Sequence, residues 1–224
     1  MSAAALPEIP LRDDRDGGLL RYAREHAGAA ARLMDTVLAG MGPAGRVLGP
    51  ALAPADRVAA RWLRQAGDPY LAEALAIRAA IRAAIGRPGP LAFALSHEFG
   101  CTARAFEGAP PTLFRTLVWP FRGLGRLVEA VRLEGEAGPW TTATWPGVIG
   151  VLHGAAPGRF AAALNQAPER RSGYGRAADW AIGRRRSLRA RALPPPHLLR
   201  RVSRPHRISP PPGGCCARRL WRCR

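Results

Sequence analysis

The stretch GCTARAFEGAPPTLFRTLVW, residues 100–119, decides how the rest of this chain is interpreted. Its two segments near 101–106 and 112–118 have the length and the bounding Gly and Pro residues of β-strands. Cys101 begins the first segment and lies far in sequence from the other three cysteines. A thiol becomes a useful nucleophile when a base or a cation lies beside it. If the chain were cut before Cys101, the freed α-amine on the same residue would be such a base.

The chain after Pro90 consists of short apolar runs separated by Gly and Pro, and this pattern is typical of β-strands. The spacing of these runs fits an antiparallel meander. We predict strands near 91–97, 101–106, 112–118, 126–133, 140–144, 147–153 and 159–165. His153, at the end of the sixth of these, is expected to pack against a strand rather than to catalyse.

The chain before Pro90 has helical rather than strand-like periodicity. Residues 1–17 are polar and predicted to be loose. We predict that the helices formed by the chain before Pro90 pack against the downstream sheet. The alternative is that they form a small independent bundle. The predicted helices span about 19–38, 55–66 and 69–85, with a break at Met41–Gly45. A further helix is predicted at 177–190, interrupted by Arg184–Arg186.

Three segments in this order resemble a known family: RTLVW at 115–119, WPGVIGV at 145–151, and APGRFAAALNQAP at 156–168. They resemble the N-terminal-nucleophile (Ntn) hydrolases of the choloylglycine hydrolase, acid amidase and acid ceramidase group. Bacterial relatives of that group are described as acyl-coenzyme A:6-aminopenicillanic acid acyltransferase-like. The resemblance covers about Leu91 to Pro168, with a weaker extension to about Val202.

The resemblance implies an α+β fold with part of a four-layer αββα sandwich built on an antiparallel sheet. Residues 1–90 would be a helical pro-segment and 91–168 a partial Ntn-hydrolase catalytic core. Residues 169–202 would be a helical or irregular family-like remnant. Residues 203–224, rich in Arg and Pro, are predicted to be a disordered basic tail because they cannot bury enough apolar area to offset their ordering entropy.

The resemblance also assigns roles to three residues. Autocatalytic cleavage between Gly100 and Cys101 would expose Cys101 as the N-terminal nucleophile, acting on a small-molecule amide or acyl substrate. Arg115 would lie beside the sulfur, where a guanidinium favours the thiolate. Asn165, at the end of a later strand, would help to stabilise the oxyanion. The implied activity is that of a cysteine amidohydrolase or acyltransferase.

Val118 departs from the family pattern, which has an Asp at this position. The carboxylate would accept hydrogen bonds near the N-terminal amine and pair with Arg115, and a valine does neither. Loss of one residue from a set of catalytic groups that act together lowers the reaction rate by orders of magnitude. We therefore expect self-cleavage to be slow or absent.

The charge of the chain is concentrated towards its C-terminus. The net charge is +18, and residues 169–224 supply +14 of it, from 16 Arg against 2 acidic residues. The chain has no Lys, and Asn165 is its only Asn, which indicates a very GC-rich coding sequence. A shifted reading frame in such DNA would give a tail of Arg, Pro, Gly and Cys. The alternative function is therefore an inactive remnant, truncated or frameshifted after about Val202, whose tail binds nucleic acid without specificity.

The sequence predicts no cofactor, no metal and no specific nucleic-acid partner. Cys215, Cys216 and Cys223, with His197 and His206, lack the paired spacing of zinc ligands. No apolar run is long enough to span a bilayer and the N-terminus has no signal-peptide pattern, so we expect a cytoplasmic protein without membrane contact. A sheet that ends near Asn165 would leave an unpaired edge, which favours self-association.

Overall fold

The computed structural model describes residues 8–12, 18–86, 100–108, 111–118, 121–135, 138–165 and 175–202. Within them the chain is a mixed α+β protein whose sheets are mainly antiparallel. The helices are α1 (Gly18–Glu25), α2 (Ala27–Gly40), α3 (Pro43–Gln65), α4 (Leu71–Ile85), α5 (Arg176–Arg189) and α6 (Pro195–Val202), with a 3-10 helix at Leu124–Leu127. The strands are β1 (Glu8–Arg12), β2 (Gly100–Phe106), β3 (Thr112–Val118), β4 (Glu129–Gly135), β5 (Gly138–Thr144), β6 (His153–Ala156) and β7 (Phe160–Ala163).

The N-terminal helices form where periodicity predicts them, but their boundaries differ. The predicted helix 19–38 is two helices, α1 and α2, separated at His26. The break predicted at Met41–Gly45 is short, because Gly42 takes a φ of 59° and Pro43 then begins α3. Helix α5 is not interrupted at Arg184–Arg186, contrary to the prediction, since arginines are good helix formers. No described helix has the length and apolar composition needed to cross a bilayer.

Strands β4, β5, β6 and β7 form an antiparallel meander. The meander predicted from the spacing included the strands at 101–106 and 112–118, and this part of the prediction is wrong, because β2 and β3 pair with each other in a separate sheet. Strand β1 extends the β4–β7 meander by pairing in parallel with β4, from Glu8 opposite Ala130 to Arg12 opposite Glu134. The prediction that residues 1–17 are loose is therefore wrong for 8–12. Their short apolar alternation, EIPLR, was too brief to indicate a strand without its partner.

The strand predicted at 147–153 is also wrong, because residues 145–152 are irregular and β6 begins only at His153. The Val151 amide donates to the carbonyl of Pro196, 3.0 Å away, instead of to a neighbouring strand. The strand predicted at 91–97 lies outside the described residues.

Strands β2 and β3 form a second, two-stranded antiparallel sheet. Strand β3 contacts β7, so this hairpin lies beside the last strand of the larger sheet. The hairpin matches the strands predicted at 101–106 and 112–118 almost residue for residue.

The N-terminal helices and the larger sheet share one hydrophobic core. Helical residues such as Tyr22, Leu63 and Ile77 are buried in the same cluster as Leu133 and Trp140 of the sheet. Of the two arrangements that the sequence left open, the described residues therefore adopt the packed one. Burial of large aromatic and aliphatic side chains across this interface makes the helices and the sheet one cooperative unit.

Helix α6 joins this unit through buried charged groups. The Arg200 guanidinium donates to both carboxylate oxygens of Glu73, at 2.7 and 3.2 Å. His197 Nδ1 lies 2.6 Å from an Asp68 carboxylate oxygen, and both side chains are buried. Residues 175–202, the described part of the segment 169–202, are thus packed on the N-terminal helices. The predicted disordered tail, 203–224, lies outside the described residues.

We expect alanine at two glycines to change stability in opposite directions. A Cβ at Gly150 would lie 2.4 Å from the Cβ of Pro196, so Gly150→Ala should lower the free energy of unfolding by about 1–3 kcal/mol. A Cβ at Gly183, in α5, meets nothing within 4 Å, so Gly183→Ala should raise it by about 0.5–1 kcal/mol. Urea unfolding measures both, and equal effects would contradict the packing of α6 on the 145–152 segment.

Candidate active site

Hairpin register places Cys101 and Arg115 on the same face. Cys101 is opposite Leu117, and Ala103 is opposite Arg115. Side chains alternate along a strand, so these four share a face, and each is partly buried. Phe114, on the other face, is exposed. Cys101 and Arg115 are therefore diagonal neighbours across the hairpin, within reach of a long side chain.

The Arg115 guanidinium makes three contacts. One terminal nitrogen donates to Cys101 Sγ at 3.2 Å and to the carbonyl oxygen of Leu164 at 2.8 Å. The other lies 3.1 Å from His153 Nδ1. A single side chain of β3 thus connects the sulfur of β2 to the first residue of β6 and to the segment after β7.

His153 is neutral in this setting. Burial, and then the charge of Arg115, lower the pKa of His153 to about 4. Because Nδ1 faces a guanidinium that only donates, the proton of the neutral ring belongs on Nε2. The prediction that His153 packs against a strand omitted this contact, since 38 residues separate it from Arg115.

Asn165 follows the site directly in sequence. The carbonyl of Leu164 accepts from Arg115, and the amide of Leu164 donates to the carbonyl of Leu152 at 2.8 Å. This bond holds the chain leaving β7 against the segment before β6. The structure therefore brings the backbone beside Asn165 to Arg115, and the Asn165 side chain is exposed.

Position 118 is opposite Gly100 in the hairpin, next to the Gly100–Cys101 bond. Valine there supplies no hydrogen-bond acceptor. Arg115 Nε is buried and has no hydrogen-bond partner among the described residues. A buried donor without an acceptor carries a desolvation cost of about 1–3 kcal/mol. The site therefore has a guanidinium whose Nε has no partner and that contacts no carboxylate within the described part of the chain.

A second polar cluster joins α1 to β4. The Tyr22 hydroxyl donates to Glu129, whose same oxygen lies 3.3 Å from His26 Nδ1. Burial, together with the hydrogen bond to Glu129 and its charge, raises the pKa of Tyr22 above its ordinary value. The tyrosine therefore stays protonated and serves as a donor that fixes the helix on the sheet. Sequence spacing did not indicate this cluster, because Tyr22 and Glu129 are 107 residues apart.

The described part of the chain contains no group of three or more His, Cys, Asp or Glu placed to hold an ion. His197, one of the candidates from sequence, contacts Asp68. Cys215, Cys216, Cys223 and His206 lie outside the described residues.

The lowered pKa of His153 predicts a loss of stability in acid. An unfolded histidine has a pKa of about 6.5, and His153 in the fold about 4, so the unfolded chain binds this proton more tightly. The contribution of His153 to stability should fall as the pH drops from about 6.5 to 4, by at most roughly 3 kcal/mol, and change no further below that range. Urea unfolding of the wild type and of His153→Gln across pH 3.5–7.5 measures the difference. A difference independent of pH would contradict the buried, neutral histidine.

No family model matches this chain, and none of the curated proteins is significantly similar to it.

Proposed function

We propose that this chain is a cysteine Ntn amidohydrolase or acyltransferase that matures by cleavage between Gly100 and Cys101. The observation that carries the proposal is the hydrogen bond from Arg115 to Cys101 Sγ, 3.2 Å, formed by two residues that the family resemblance pairs. A cation at this distance stabilises negative charge that develops on the sulfur.

The position of the nucleophile in the fold also supports the proposal. Cys101 is the second residue of a strand, so a cut before it would leave the thiol and the new α-amine at the start of β2. In the proposed αββα arrangement, the hairpin belongs to one β layer and the β4–β7 meander to the other. The helices of residues 1–90 would be the pro-segment.

The maturation step is an acyl shift followed by hydrolysis. The Cys101 sulfur attacks the carbonyl carbon of Gly100, the C–N bond breaks, and the departing nitrogen takes the proton to become the α-amine of Cys101. The resulting thioester is hydrolysed by water, which leaves a carboxylate on Gly100 and a thiol on Cys101.

Turnover uses the freed α-amine as the base. The amine takes the thiol proton while the sulfur attacks the substrate carbonyl, and Asn165 donates to the oxyanion. The tetrahedral intermediate collapses to an acyl-thioester, and the leaving amine takes the proton back. Water then releases the acid in a hydrolase, or an amine accepts the acyl group in an acyltransferase.

Arg115 Nε has no hydrogen-bond partner among the residues that the structure describes. This observation favours a second candidate function, that of an inactive member of the same family. Here Arg115 and Cys101 persist as packing residues, without the acceptor that cleavage requires. Any nucleic-acid binding by such a remnant would come from the arginines of residues 203–224, which lie outside the described residues, and would weaken steeply with salt.

Cleavage separates these candidates. Wild-type protein should slowly yield fragments 1–100 and 101–224, and Cys101→Ala should remain one chain, because it lacks the attacking sulfur. The fragments would share β1–β4 pairing and the common core, so they would stay together in native conditions. Mass spectrometry after denaturation is therefore the measurement. Wild-type protein that stays intact after long incubation would favour the inactive candidate.

Val118→Asp should increase the rate of cleavage at least tenfold, because it places a carboxylate opposite Gly100. Val118→Asn is the matched control, since it adds an acceptor of the same shape without the charge. Thr116→Asp adds the same charge opposite Thr102 and controls for position. Equal rates in all three variants would show that a carboxylate at position 118 is not what cleavage lacks.

A further inference from the structure

The guanidinium of Arg115 is a rigid planar fork, so fixing one arm sets the direction of the other. One terminal nitrogen serves both Cys101 Sγ, at 3.2 Å, and the Leu164 carbonyl, at 2.8 Å. The other terminal nitrogen lies against His153 Nδ1, at 3.1 Å. The contact with His153, together with the Leu164 carbonyl, therefore sets the orientation of the arm that reaches the sulfur.

His153 is itself held in place from two sides. Its backbone is opposite Ala163 of β7, and its carbonyl accepts a hydrogen bond of 2.6 Å from the Thr142 hydroxyl of β5. The ring thus projects from the middle of three hydrogen-bonded strands. A residue held this firmly is suited to orient a longer and more flexible side chain.

The groups that face His153 explain its protonation state. From β3 the charged group is Arg115, and the neighbours from β5 and β7 are the uncharged Thr142 and Ala163. Burial and the charge of Arg115 lower the pKa of His153 to about 4. A neutral imidazole accepts a hydrogen bond from Arg115, whereas an imidazolium has no acceptor and repels the guanidinium.

The acceptors that the structure gives to Arg115 are all uncharged: a ring nitrogen, a carbonyl oxygen and a thiol. A carboxylate in place of His153 would orient the guanidinium but also neutralise part of its charge. The neutral ring orients Arg115 and leaves its positive charge available to the sulfur.

We propose that His153 is a positioning residue that holds the Arg115 guanidinium on the Cys101 sulfur and makes the reactivity of that thiol sensitive to acid. The inference rests on the proposed function, because it describes how the same site is regulated. The proposal gives a role to His153, which is not one of the three site residues implied by the family resemblance, Cys101, Arg115 and Asn165.

The test measures how fast Cys101 of the full, uncut chain reacts with 2,2′-dipyridyl disulfide between pH 3.5 and 8. Cys215, Cys216 and Cys223 are replaced by Ser, so that Cys101 is the single thiol, and circular dichroism checks the fold at each pH. The rate of any thiol falls in acid because less thiolate is present. In the wild type, protonation of His153 should add a further fall of about five- to tenfold near pH 4. His153→Gln keeps an acceptor that does not titrate, and should remove the extra fall while preserving the rate at pH 7.

His153→Leu removes the acceptor and should slow the reaction at pH 7 by about five- to tenfold. His26→Gln, which changes a histidine that contacts Glu129 instead, should behave as the wild type. An extra acid fall that persists in His153→Gln, or a wild-type rate in His153→Leu, would overturn the proposal.

A second measurement does not depend on the Leu variant folding. In ¹⁵N-detected correlation spectra of the wild type, His153 should carry its proton on Nε2 and stay neutral at pH 5.5. Arg115→Met should raise the pKa of His153 towards its ordinary range, since the substitution removes the neighbouring cation. A proton on Nδ1 would overturn the proposal. If these results are obtained but no cleavage occurs, the role of His153 stands and the proposed enzymatic function fails.

Discussion

The guanidinium of Arg115 is the interaction on which the arrangement of the candidate site depends. The β2–β3 hairpin is a separate sheet, and Arg115 links it to β6 and to the chain after β7. Without a cation at this place, the sulfur, the imidazole and the Leu164 carbonyl would be three acceptors with no shared donor. Because guanidinium is planar and has several donors, one residue satisfies all of them and holds them in a fixed geometry.

The N-terminal half of the chain shares its hydrophobic core with the sheet. Helices α1, α3 and α4 contribute buried residues to the cluster that covers the sheet, and β1 pairs with β4. Residues 8–12 and 18–86 are therefore part of the packed protein rather than an appendage to it. A pro-segment with this packing would remain bound after cleavage, since breaking one peptide bond removes none of the buried area.

Polar groups inside this protein are paired across long sequence separations. Glu73 with Arg200, Asp68 with His197, and Glu129 with Tyr22 each connect a helix to a distant element. Burying a charge without its partner costs several kcal/mol, so such pairs disfavour other ways of docking α6 and α1. Arg115 Nε, by contrast, is buried and has no hydrogen-bond partner among the described residues. Val118, the last residue of the same strand, supplies no hydrogen-bond acceptor.

Local patterns in the sequence determined the helices near 69–85 and 177–190, the hairpin, and the meander, because periodicity and Gly and Pro punctuation act over a few residues. The family resemblance predicted that Cys101 and Arg115 lie together, and hairpin register explains why the two side chains meet. Strand β1, the irregular segment before His153, and the contacts of His153 and Leu164 were decided by tertiary structure alone. Each depends on a partner tens of residues away, and a short segment such as Glu8–Arg12 becomes a strand only when a distant sheet edge supplies its hydrogen bonds.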